Sequence, residues 1–146
     1  YTDDICAHWR FKTPEIAVKS SNKIFAMYLD YRDEKDFIGM DMCRKFLEMG
    51  FTRSRRYANH RDGKKYDKEG NIIPQEKDHA TCHFAKSAKI FKKVRDIVAK
   101  NDTYVKMRKH WRKEVEHSQE ARVNALATAS NVKRAQYSNS KVSRTA

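Results

Sequence analysis

Asp36 to Asn59 reads DFIGMDMCRKFLEMGFTRSRRYAN, and the point where this stretch stops being a helix decides the fold. Phe37, Ile38, Met42, Phe46, Leu47 and Met49 supply an apolar face at helical spacing. Acids cluster at its start, and Arg44 and Lys45 follow later, as the helix dipole favours. Gly50 then stands where a left-handed C′ residue would close the helix. On this reading a helix runs from Glu34 to Met49. The basic run behind it, Thr52-Arg53-Ser54-Arg55-Arg56-Tyr57, becomes a loop or a short separate helix capped by Thr52.

Working outward towards the N-terminus, Thr13-Pro14-Glu15 carries a start signal. Thr13 suits the N-cap, Pro14 the first helical position, and Glu15 the positive end of the dipole. Ala17, Ser21, Ile24, Tyr28 and Tyr31 recur at helical spacing, which predicts a helix over 14–32. Residues 1–12 read as an extended arm, with basic and aromatic residues alternating from His8 to Lys12.

Towards the C-terminus, Asp62-Gly63 and Glu69-Gly70-Asn71 mark turns, and Lys64 to Pro74 reads as a small hairpin or loop. Pro74 is placed to start a helix over 75–100, in which Phe84, Ala88, Phe91, Val94 and Val98 form a stripe. Asn101-Asp102 ends it and recaps a helix over 103–117 that buries Tyr104, Met107, Trp111 and Val115, with a thin continuation through Ala125 to Ala129. From His117 the chain is rich in Ser, Asn and Ala, and holds few large apolar side chains. Such a segment buries too little surface to offset its ordering entropy, so it reads as a tail that a partner must order. The expected architecture is all-α: a small bundle of about four helices, with a basic loop between helices two and three. Residues 1–117 would form the domain and 118–146 a basic low-complexity tail.

At 146 residues the chain suits one domain with a modest core. Its formal net charge of +13 is unevenly spread. Residues 1–49 hold nine acids and eight bases, whereas residues 50–146 hold ten acids and twenty-four bases. Charge gathered in this way recruits polyanions. The three cysteines, Cys6, Cys43 and Cys82, are far apart and odd in number, which fits a reducing intracellular compartment and no disulfide framework. No apolar run approaches the ~18–20 residues of a membrane span, and no secretory segment is present. The chain opens on Tyr1, as a processed product or partial chain would.

The sequence holds no nucleophile elbow, no Walker-type loop and no dinucleotide fingerprint, and only four Gly in all. Asn59-His60 with Asp62 offers a base and a metal ligand for a nuclease, but a lone His among Arg residues is more often a contact residue. His79, Cys82 and His83 resemble a metal cluster but lack the further ligands a zinc site needs. The expectation is therefore no enzyme, no cofactor, no metal and no small-molecule substrate.

The basic constellation is stronger. Arg53, Arg55, Arg56, Arg61, Lys64 and Lys65 are interleaved with Tyr57 and Tyr66. Arg forks match phosphate, and Tyr rings stack on exposed bases. The alternative is that these Arg side chains pair with acids of the first two helices. A second patch, Lys106, Arg108, Lys109, Arg112 and Lys113, lies on the last helix around an apolar stripe. A lipid surface would also suit such a helix, but Tyr104, Met107 and Trp111 are better explained as core.

Three strings carry a resemblance: His8-Trp9-Arg10-Phe11-Lys12-Thr13-Pro14, Gly39-Met40-Asp41-Met42, and Arg53 through Asn59. Over roughly residues 5–110 the chain resembles an uncharacterised domain family of unknown function, found in bacteria, tailed phages and some eukaryotes. Members carry additional sequence ahead of the His-Trp-Arg-Phe segment, and the basic tail after Glu120 is an addition to the family pattern. The resemblance implies no activity. It places the Arg-rich stretch and the aromatic arm in one signature, which implies a fixed role: Arg53, Arg55 and Arg56, packed beside Trp9 and Tyr57, as a phosphate-binding face.

The function expected is a non-catalytic nucleic-acid-binding subunit, with RNA favoured over DNA, alongside other proteins in a large ribonucleoprotein such as a ribosome or organellar ribosome. Two alternatives stand beside it: a scaffold protein of a virion or other assembly, and a metal-assisted nuclease.

Overall fold

A computed structural model describes the backbone of residues 1–145 and the side chains of residues 1–141. Among the described residues, five helices follow one another: α1 Thr2–Cys6, α2 Pro14–Asp33, α3 Phe37–Asn59, α4 His83–Lys100 and α5 Asp102–Thr145. The fold is all-α, and α2, α3 and α4 pack on one another to form the bundle.

Helix α2 starts as its sequence dictates. Thr13 is extended (φ −129°, ψ 160°), and its hydroxyl accepts the Ile16 N–H at 3.2 Å, with Pro14 in the first turn. The helix buries Ala17, Ser20, Ser21, Ile24 and Tyr28. Beyond its C-terminus Lys35 takes a left-handed φ of 56°. Asp36 then caps α3, its carboxylate accepting the Gly39 N–H at 3.1 Å.

Helix α3 does not stop at Gly50, contrary to the sequence expectation. It runs unbroken to Asn59, so Arg53 to Tyr57 form its last turns and not a separate loop. The reason lies across the bundle. A Cβ on Gly50 would sit 2.4 Å from the Phe91 ring of α4. This glycine serves close helix approach, not a left-handed cap. Gly50, Ser54 and Ala58 are all buried, and small side chains at four-residue steps let α4 lie against this face. From α4, Ala85, Ser87, Ala88, Phe91 and Val98 face inward.

Helix α4 begins at His83, not at 75. The backbone ahead of it is tied elsewhere. Glu76 donates its N–H to the Asn59 carbonyl at 2.8 Å, and its carboxylate accepts the Arg61 N–H at 3.3 Å. Residues 77–81 are consequently turns, closed by Thr81 and Cys82 N–H groups on the Asp78 carbonyl at 3.0 and 2.9 Å. The arm is also only partly extended. Residues 2–6 coil into α1 and bury Ile5, and the chain from His8 onward lies along α2. Ser20 holds it there: its hydroxyl accepts the Arg10 N–H at 3.0 Å and donates to the His8 carbonyl at 2.7 Å.

Two compact units divide the chain, residues 1–106 and residues 107–146. The first contains every buried side chain among the described residues, from Ile5 to Tyr104. Tyr104, in the first turn of α5, donates its hydroxyl to Asp41 at 2.7 Å, while Asn101 accepts the Tyr28 hydroxyl at 3.0 Å. The second unit is the long remainder of α5. The expected low-complexity tail is helical as far as Thr145. No Gly or Pro occurs after Pro74, and Ala recurs through residues 121–135, so nothing local breaks the helix. Trp111 and Val115, expected in the core, are exposed at 42 % and 38 %.

Candidate functional site

Continuing α3 past Gly50 turns a loop into a rigid mount. Its inner side is fixed by Ser54 and Ala58; Arg56 projects away from that side, and Arg53 and Tyr57 stand on its flank, all three exposed. Arg53 and Tyr57 lie four residues apart and share a face. The Arg53 guanidinium sits over the Trp9 ring at 5.7 Å, which brings the arm and the basic helix together. Trp9 in turn packs on Phe11 at 5.3 Å and on Phe46 at 5.8 Å.

Tyr57 is held within this aromatic group. It stacks on Phe84 at 5.3 Å and lies 6.0 Å from Phe11. A Cβ on Gly63 would sit 2.9 Å from its ring, and Gly63 has φ 75°. Tyr57 thus acts as a wedge between α3, the arm and α4, with 36 % of its surface left exposed. Tyr66 is more open, at 54 %, with the Lys65 ammonium 5.6 Å from its ring centre.

The sequence treats Arg53, Arg55 and Arg56 alike; their surroundings separate them. Arg55 is half-buried, and one guanidinium nitrogen donates to Asn59 Oδ1 at 2.7 Å and to the His79 carbonyl at 3.0 Å. It is a strut that holds the turn before α4 against α3. Arg53, Arg56, Arg61, Lys64 and Lys65 are exposed, and none has a carboxylate partner among the described residues. Pairing with the acids of the first two long helices goes to other residues. Arg44 takes Asp41 at 2.8 Å and Glu48 at 2.7 Å, and Arg95 reaches Glu48 at 3.6 Å and Asp96 at 3.0 Å.

Arg61, Lys64 and Lys65 continue the charged run into a short loop. An antiparallel bridge joins Tyr66 and Ile72, and Asp67 Oδ1 accepts the N–H groups of Glu69 and Asn71 at 2.9 and 2.8 Å. The Asx turn shapes this loop without using a basic side chain. Lys106 closes the first unit, while Arg108, Lys109, Arg112 and Lys113 belong to the second, all exposed.

The residues weighed for catalysis are placed differently. His60 is 7 % exposed and forms the C-cap of α3, its N–H on the Arg56 carbonyl at 2.8 Å. His79 sits in the turn before α4 and His83 opens the helix, so the two are not on one helix face. Among the described residues, no three His, Cys, Asp or Glu side chains are grouped to hold a metal ion. No helix among them is long and apolar enough to cross a membrane. Burial pushes the Cys43 thiol up to about 12, which keeps it protonated.

The chain belongs to the family described as Domain of unknown function (DUF4385), whose model matches residues 1–114. No curated protein and no solved structure matches it.

Proposed function

We infer that the protein is a non-catalytic nucleic-acid-binding subunit, with RNA as the favoured ligand, working within a larger ribonucleoprotein. One observation carries this reading. Five basic side chains, Arg53 and Arg56 on α3 and Arg61, Lys64 and Lys65 in the loop behind it, are exposed and lack acidic partners among the described residues, although acids of α3 pair with Arg elsewhere. Unpaired guanidinium and ammonium groups on a rigid support suit phosphate, which is fixed in register by such contacts. Lys106, Arg108, Lys109, Arg112 and Lys113 add a second basic segment on α5. Tyr66, 54 % exposed with Lys65 over one face, offers its other face as a stacking surface for an unpaired base, which favours single-stranded or looped RNA over duplex DNA.

The test is binding of structured RNA and duplex DNA across a salt series, with the quadruple variant Arg53→Gln, Arg56→Gln, Lys64→Gln, Lys65→Gln alongside. Each phosphate contact adds roughly 0.7–0.9 to the log–log salt slope. The slope is expected to flatten by about 3 units in the variant, from four such contacts. A slope unchanged by the variant, with its melting temperature intact, overturns the assignment and favours a protein-scaffold role.

A further inference from the structure

A groove lies on another part of the first unit, between the arm and α2, with a volume of about 630 Å³. That is within the range of about 300–1,000 Å³ typical of small-ligand sites. His8 and Arg10 line it from the arm, and Lys19 and Lys23 from α2. Lys19 and Lys23 are four residues apart, so their side chains share one helix face. No carboxylate lines the groove, and none of the four has an ion-pair partner among the described residues.

The groove is also built to keep its shape. Ser20, at 4 % exposed, stands at its base and fixes the His8 carbonyl and the Arg10 N–H together. The Arg10 guanidinium is held by a single nitrogen, Nη1, which donates to the carbonyls of Cys6 at 3.1 Å and Trp9 at 2.6 Å. The fork is thereby oriented while Nε and Nη2 stay available for a ligand. The rest of the wall is apolar: Ala7, the aliphatic stems of the two lysines, and Ile16, which is left 39 % exposed.

We propose that the groove between the His8–Arg10 arm and Lys19–Lys23 of α2 binds a small organic phosphate, its phosphoryl group on Arg10 and the lysines and its apolar body on Ile16. Three positive side chains, Arg10, Lys19 and Lys23, without a counter-charge call for a ligand of at least two negative charges. A carboxylate supplies one. A phosphate monoester supplies nearly two, with three acceptor oxygens that suit a fork and two ammonium groups. The exposed isoleucine explains why the ligand is an ester with an apolar part and not the bare ion. This site uses none of the residues assigned to nucleic acid.

The test is a set of two-dimensional amide NMR titrations of the full chain. The probes are phenyl phosphate, adenosine monophosphate, inorganic phosphate and a short RNA. Both esters are expected to shift the amides of Ala7, His8, Arg10, Lys19 and Ser20 in a saturable way, and to bind at least about tenfold more tightly than inorganic phosphate, as one good apolar or ionic contact would give. The Lys19→Gln, Lys23→Gln double variant, whose exposed substitutions leave the fold intact, loses that binding, and Arg53→Gln, Arg56→Gln keeps it. If neither ester moves these amides, or inorganic phosphate binds as well, the proposal falls. If only RNA moves them, the groove belongs to the nucleic-acid face and the small-ligand site is overturned.

Discussion

The Phe91 ring of α4 occupies the space that a Cβ on Gly50 would need, 2.4 Å from the nearest ring carbon. Phe91 is fully buried, so its ring has no room to give. Gly50→Ala is therefore expected to push α3 and α4 apart. Overpacking of this kind costs about 1–3 kcal/mol, and the gain in helix propensity returns roughly 1 kcal/mol. A net fall in melting temperature is expected, and Gly50→Val should fall further. A stabilised Gly50→Ala protein would show that the helices are not in close contact there.

The same pair explains what was legible in the sequence. Capping is local, so Thr13-Pro14-Glu15 announces the start of α2 correctly. A glycine after an apolar helical stretch has two uses, as a left-handed cap or as a gap for a neighbour. Only Phe91, far along the chain, separates them. The basic residues were identifiable by type, but the division between Arg55 as strut and Arg53 and Arg56 as groups without an acidic partner among the described residues depends on the His79 carbonyl, which no local pattern places beside α3. The start of α4 was missed for a like reason: Glu76 is tied to Asn59 and Arg61 across a loop. The groove residues His8, Arg10, Lys19 and Lys23 come from two segments whose meeting depends on Ser20.

Arg55 and Arg56 should separate cleanly in mutagenesis. Arg55→Ala removes a charged donor from two acceptors and frees the turn before α4, at a cost of roughly 1.5–3 kcal/mol. Arg56→Ala changes an exposed side chain and should stay within about 0.5 kcal/mol. Urea denaturation of both variants checks this. In RNA binding the order reverses: Arg56→Ala lowers the salt slope, and Arg55→Ala leaves it nearly unchanged so long as the protein is folded.

The three thiols should differ in reactivity towards a disulfide reagent under native conditions. Cys6 is exposed and reacts first, Cys82 follows, and Cys43 reacts only at the rate of unfolding. Burial pushes Cys43 up to about 12, whereas in the unfolded chain it ionises near about 8.5. The folded state thus favours the protonated thiol. Its contribution to stability is complete below about pH 8.5 and is lost as pH rises towards the folded value. Melting temperature should decline over that window, and the decline should shrink in Cys43→Ala.

Helix α5 should melt in two parts. Residues 107–141 bury no side chain, and isolated helices are marginal in water. Circular dichroism at 222 nm should show a gradual loss on warming, before one cooperative transition of residues 1–106. Trypsin should cut first among Arg108, Lys109, Arg112 and Lys113 and leave a resistant fragment close to the first unit. A single sharp transition containing all the helical signal would contradict this.

One rod, α3, has two sides under opposite constraints. Its inner side, Gly50, Ser54 and Ala58, accepts little beyond the smallest residues. On its outer side Arg53 and Arg56 are exposed and no acid depends on them. Exchanges of charge are therefore compatible with the fold on the outer side alone. The packing register stays fixed while the charge a few ångströms away can vary.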